Sequence, residues 1–221
     1  MCIRDSYGII DTDEQFDVVG ACLAPGGLPG LVPMHADEFA DTDVPLDALW
    51  GHRIVDRLRT LLLEAATPDA RLDVLEATLT GHWRGGALHP AVACALDAFA
   101  RRPAVATVGD AVTAAGVSAR HLIARFTAEV GLTPKRFCRV RRFQRAIALA
   151  DRGDAEDWAS IAADCGFADQ SHLIHEFRAF AGLPPSAYLD RRTTHRNHVR
   201  LVEAETTVVP PASAQSAIMV S

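Results

Sequence analysis

The sequence predicts a mainly α protein: a double helix-turn-helix unit of about seven helices, preceded by a small α/β segment. Three observations predict it. Residues 108–134 and 158–185 share one pattern, offset by fifty positions: a short helix, a glycine turn, a second helix, then Gly-Leu-x-Pro. From Pro90 onward, apolar residues recur almost entirely at helical spacing. Upstream, an alternating stretch at 14–24 precedes two helical patterns.

Taken in order, residues 14–24 read as a strand, because Phe16, Val18, Gly20 and Cys22 alternate with other residues. A proline- and glycine-rich loop follows at 25–33, then a short helical turn at 35–40. Residues 49–66 read as a helix with Ile54, Leu58, Leu61 and Leu62 on its buried side. Pro68 and Asp69 open another, carrying Leu72, Leu75 and Leu79. One strand leaves its backbone groups without a ladder. Residues 1–80 are therefore expected to be the carboxyl-terminal part of a larger regulatory domain. Residues 81–89, with three glycines, read as a linker. Residues 90–192 form the helical unit, and 193–221, mostly small or polar, read as a flexible tail.

Within the helical unit, Pro90 starts the first helix, and Val92, Leu96 and Phe99 form its apolar side. Residues 108–115 and 118–130 make the first helix-turn-helix, and 134–152 a long linking helix. Residues 157–165 and 169–181 make the second, and 185–189 a closing turn. Gly116 and Gly166 fall in the two turns, where a positive φ is needed. Ser118 and Asp169 can cap the helices that follow. Leu122, Phe126 and Val130, then Leu173, Phe177 and Phe180, are the expected core stripes, packed on Val108, Ala111, Trp158 and Ile161. Phe167 and Pro185 join the structural set.

Charge is divided along the chain. The net charge is −6, but residues 1–117 hold 8 basic and 17 acidic residues, whereas 118–192 hold 12 and 9. A basic segment joined to an acidic one suits a nucleic-acid-binding unit with a neighbour of another role. Five scattered cysteines, without a CxxC, predict reduced thiols and a cytoplasmic setting. No apolar run approaches a membrane span, and no metal site or cofactor motif is expected.

The outward faces of the repeat are polar. The first second-position helix offers Ser118, Arg120, His121 and Arg125; the other offers Gln170, Ser171, His172, His175 and Arg178. Arginine can donate twice to guanine and glutamine can pair with adenine in the major groove. Arg120, His121, Gln170 and His175 are the expected base contacts. Ser118, Arg125, Ser171 and Arg178 are the expected phosphate contacts, joined from the linking helix by Lys135, Arg139 and Arg142. For each, the alternative is a solvated polar face. Glu176 interrupts this face and is read as orienting Arg178 or Arg125. Double-stranded DNA is the partner so implied, with two readers on one chain spanning two groove segments.

Residues 90–192 resemble the DNA-binding domain of the arabinose-regulator (AraC/XylS-type) transcription factors. Ile161, Ala162, Gly166, Phe167, Ser171, Phe177, Arg178, Gly182, Pro185 and Tyr188 carry the resemblance. It implies seven helices, two helix-turn-helix units and a linking helix, with the first reader helix dominating base readout. His172 and Leu173 depart mildly from the family pattern. Residues 16–79 are similar to the end of a sensor domain whose β-rich front is missing. The resemblance implies transcription regulation, with RNA polymerase, a small-molecule effector and a second copy of the chain left open as partners.

Two other classes compete. An enzyme would need His52, His82, His89 and Trp83, or His121, His172 and His175, to join a carboxylate or cysteine at a motif spacing, and none does. The run Gly26–Gly30 lacks the serine or lysine of a phosphate-cradling loop. A purely protein-binding helical scaffold would leave the basic linking helix unexplained.

Overall fold

The structure, a computed structural model, describes residues 19–102, 104, 106–154 and 157–191. Its regular structure is helical, with ten α-helices and no strand among the described residues. The expected strand at 14–24 is absent over 19–24; its earlier part and the expected tail at 193–221 lie outside the described residues. The α/β character expected upstream is therefore not confirmed: residues 19–82 form only helices, turns and loop.

Upstream lie two 3-10 turns, Leu28–Gly30 and Ala36–Phe39, and three helices: α1, Leu46–Trp50; α2, His52–Glu64; and α3, Pro68–His82. Gly51, at φ 85°, divides the single helix expected over 49–66 into α1 and α2. Val55 and Leu58 become its buried side, while Ile54 and Leu61 are 37% and 38% exposed, correcting the stripe read from the sequence. Leu75 is buried on α3 and Leu72 is exposed. The Trp50 indole stacks on His82 at 4.4 Å and donates to the Leu31 carbonyl at 3.3 Å.

Seven helices follow: α4, Pro90–Arg101; α5, Val108–Ala115; α6, Ala119–Val130; α7, Pro134–Leu149; α8, Trp158–Asp164; α9, Gln170–Ala181; and α10, Pro185–Arg191. The linking helix α7 ends sooner than expected, passing into a π turn at Ala150–Asp154. The expected closing turn is a seven-residue helix. Side-chain caps set the starts. Thr107 and Asp110 form a reciprocal capping box on α5, while Ser118, Thr133, Asp157 and Asp169 cap α6, α7, α8 and α9. Each such cap contributes about 1 kcal/mol.

Two cores lie side by side. The first gathers Val92, Phe99, Ala111, Leu122, Phe126 and Phe137, with Phe126 set edge-on to Phe99 and Phe137 at 5.8 and 5.4 Å. The second gathers Ile147, Ile161, Phe167, Leu173, Phe177 and Tyr188. Burying one such phenylalanine contributes roughly 1.5–3 kcal/mol. Phe143 on α7 packs against both cores, its ring 4.9 Å from those of Phe177 and Phe180. The linking helix is therefore a shared wall between the units, not a free spacer.

The upstream segment rests on the first unit. The Ala36–Phe39 turn packs on α6, and Asp41 pairs with Arg136 at 2.5 Å. Asp41 holds a φ of 55°, the one positive value outside glycine among the described residues. The linker at 81–89 is also engaged: the Arg84 amide donates to the Gly30 carbonyl at 2.8 Å and the His89 amide to Glu129 Oε2 at 2.9 Å. Among the described residues, no helix is long and apolar enough to cross a membrane.

Candidate nucleic-acid interface

The outward polar faces expected on the second helix of each unit form on α6 and α9. Leu122, Phe126 and Val130 turn inward from α6; Leu173, Phe177 and Phe180 turn inward from α9. Amphipathic spacing then forces the remaining positions outward. Ser118, Arg120, His121 and Arg125 are exposed along α6, as are Gln170, Ser171, His175 and Arg178 along α9. Both faces thus stand on buried apolar supports, with their polar residues in matching places after each turn.

The turns are built alike but loaded differently. Gly116 is left-handed at φ 65°, with nothing near the position of an added Cβ. Gly166 is at φ 74°, and an added Cβ would strike the backbone carbonyl of Ala104. Ser118 and Asp169 accept from the amides of His121 and His172 at 3.3 and 2.7 Å, as the sequence suggested.

His172 sits half-buried. Its Nδ1 accepts the Ala168 amide at 3.2 Å and its ring meets Phe167 edge-on at 5.4 Å, so it braces the second turn rather than standing on the outward face. His121 lies near His89, the cap of α4, with ring centroids 5.3 Å apart.

On the linking helix, two of the three residues expected at phosphates have partners within the protein. Lys135 is exposed. Arg139, however, grips Glu176 of α9 with two parallel bonds, Nε to Oε2 at 2.7 Å and Nη2 to Oε1 at 2.9 Å. Its guanidinium also lies 5.4 Å from the Phe180 ring centre. Arg142 donates from Nη1 to the Gly166 carbonyl at 3.1 Å and lies 5.7 Å from the Phe167 ring centre. Both arginines therefore reach into the protein at the second unit. Glu176, read as a partner of Arg178 or Arg125, instead pairs with Arg139 and is only 7% exposed.

The sequence carried one signal for that pair: a lone carboxylate beside the core residue Phe177, facing a linking helix without acidic residues over 134–145. It carried none for the Asp41–Arg136 pair, which joins residues ninety-five positions apart. Nor did it carry one for Ala104 against Gly166. Burial raises the Cys138 thiol to about 11 and pushes Cys165 up as well. Among the described residues, no three His, Cys, Asp or Glu side chains converge as a metal site would need.

Comparison with known proteins finds similar sequences over the carboxyl-terminal helical part of the chain. A family model described as a helix-turn-helix domain matches residues 111–191. An AraC-like transcription regulator of Streptomyces lividans is 37% identical over 107 residues, 48% of this chain and 35% of the relative. One from Streptomyces antibioticus is 35% identical over 107 residues, with the same coverage of both chains. This chain thus spans about a third of the length of these curated relatives. Among solved structures, the DNA-binding domain of AdpA, a global transcriptional factor crystallised with a target DNA, aligns with a TM-score of 0.41 and 25% identity. That alignment covers 45% of this chain and 88% of the other. Residues 111–191 thus match the helix-turn-helix domain family, in a stretch of chain that is similar to AraC-like transcription regulators.

Proposed function

We propose that this chain is a sequence-selective DNA-binding transcriptional regulator that lays α6 and α9 in two successive major-groove segments. One observation carries the reading: two equivalent polar helix faces stand outward over two equivalent buried supports. Arg120 and His121 on α6, and Gln170 and His175 on α9, are assigned to base edges. Arg125, Lys135 and Arg178 are assigned to phosphates, with the hydroxyls of Ser118 and Ser171. The amino-terminal ends of both helices add their partial positive charge there.

Arg139 and Arg142 are left out of that set, because Nε and Nη2 of Arg139 engage Glu176 and Nη1 of Arg142 engages the Gly166 carbonyl. In this reading, residues 90–192 are the DNA-binding unit, and 1–80, joined through 81–89, belong to a regulatory domain. That domain is where a small-molecule effector or a second copy of the chain would act. RNA polymerase is the machinery that such a regulator recruits or blocks, in the cytoplasm of a bacterial cell. The reading assigns the chain recognition and no reaction.

The test is a footprint of the full chain on a duplex that it selects. Two protected stretches about one helical turn apart are expected. Retention of duplex without any protected stretch would remove sequence recognition and leave a scaffold role.

A further inference from the structure

We infer that the Arg139–Glu176 pair sets the azimuth of the second reader helix and so fixes the half-site spacing that the chain accepts. The inference rests on the two-headed reading above and assigns Arg139 and Glu176 as positioning residues, not DNA contacts.

The two readers are attached to the linking helix differently. Only Gly131, Leu132 and Thr133 separate α6 from α7, so the chain itself restricts their angle. Between α7 and α9 lie the π turn, α8 and two further connections. The geometry of α9 on α7 must therefore be set across space.

Apolar contact does part of this. The Phe143 ring meets Phe177 and Phe180 at 4.9 Å each. Such contacts hold two helices together, but their apolar attraction is non-directional and ring pairs accept a range of offsets. A bidentate guanidinium–carboxylate pair is planar and directional, so a small rotation of α9 breaks one of its two bonds. Glu176 is the one charged residue in the buried class among the described residues. It directly follows His175, which stands exposed on the reader face. Fixing the Glu176 carboxylate thus fixes where His175 and the rest of that face point. Arg142 holds the turn of the same unit through the Gly166 carbonyl.

A pair of this kind is not needed for stability alone. Replacing a buried ion pair with apolar groups of similar volume is often neutral or stabilising. What the apolar replacement lacks is a preferred angle.

The experiment uses the full chain and three duplexes: the two-part site selected by the wild-type chain, the same site with two base pairs inserted between its parts, and the first part alone. Two inserted base pairs turn the second part by about 70°. The wild-type chain should lose roughly tenfold or more in affinity on the insertion, because its second head no longer engages.

The double variant Arg139→Met/Glu176→Leu should melt like the wild type and bind the first part alone within about twofold, while the insertion penalty falls below about threefold. Glu176→Gln should lower the penalty in the same direction. A folded double variant that keeps the wild-type penalty would overturn the inference. So would a double variant that fails to fold, since the pair would then be a requirement of the fold. If the wild-type chain itself shows no insertion penalty, the two-headed reading fails first, and that is visible before any variant is made.

Discussion

The backbone carbonyl of Ala104 lies where a Cβ on Gly166 would have to stand. The loop between α4 and α5 thus closes on the turn of the second helix-turn-helix. The corresponding glycine of the first unit, Gly116, faces open space. Both adopt a left-handed backbone, so both resist a side chain, but for Gly166 a backbone collision is added to the conformational cost. Gly116→Ala should cost about 1–2 kcal/mol. Gly166→Ala should cost roughly 3 kcal/mol or more. Denaturant melts of the two variants measure both, and equal losses would remove the close approach from the account.

The number of phosphate contacts can be read from salt dependence. If the three proposed cationic contacts, Arg125, Lys135 and Arg178, neutralise phosphates, the slope of log K against log salt should be about −2.7. Affinity should then fall about fortyfold between roughly 50 and 200 mM salt. If Arg139 and Arg142 also neutralised phosphates, the slope would approach about −4.5 and the loss several hundredfold. Titration of one duplex at four salt concentrations separates the two assignments.

Arg120 is exposed in the first turn of α6, where a reader helix comes closest to base edges. Arg120→Ala should cost about 1–3 kcal/mol on the selected site and much less on a site altered at the contacted base pair. Competition between matched and altered duplexes measures this. An equal loss on both would assign Arg120 to phosphate.

Burial of Cys138 raises its thiol from 9.0 to about 11, partly offset by Arg142 nearby. At about pH 8 its thiolate fraction is roughly a hundredfold below that of an unperturbed thiol. Exposed Cys22 and Cys94 should therefore be alkylated before Cys138 in the native chain, with Cys138 following only on unfolding. The folded chain holds this proton more tightly than the unfolded one. The associated stability is complete below the ordinary value of 9.0 and is lost as pH rises through about 11. Mass spectrometry of timed alkylation decides it; equal rates at Cys94 and Cys138 would contradict the burial.

Much of the helical unit was legible in the sequence, because its information is local. Glycine at 116 and 166, the caps Ser118 and Asp169, and the stripes from Leu122 to Val130 and Leu173 to Phe180 each act within one or two turns of helix. The outward polar positions followed once those stripes were assigned. The upstream segment was less legible. Gly51 is a single residue that redirects a helix, and the exposure of Leu61 depends on what packs beside α2.

The linking helix shows a different limit. Its basic run marked it as a phosphate-facing surface, but composition does not say which arginines have carboxylates or carbonyls within reach. Arg139 found Glu176 thirty-seven residues away, and Arg142 found the Gly166 carbonyl twenty-four residues away. Such pairings exist only once α9 is folded onto α7.

Selection of bound duplexes from a random pool by the full chain tests the central claim most directly. The account predicts recovery of one extended motif with two parts about one helical turn apart. The part read by α6 should lose its preference in Arg120→Ala. Recovery of no enriched motif, or of no duplex at low salt, would contradict it.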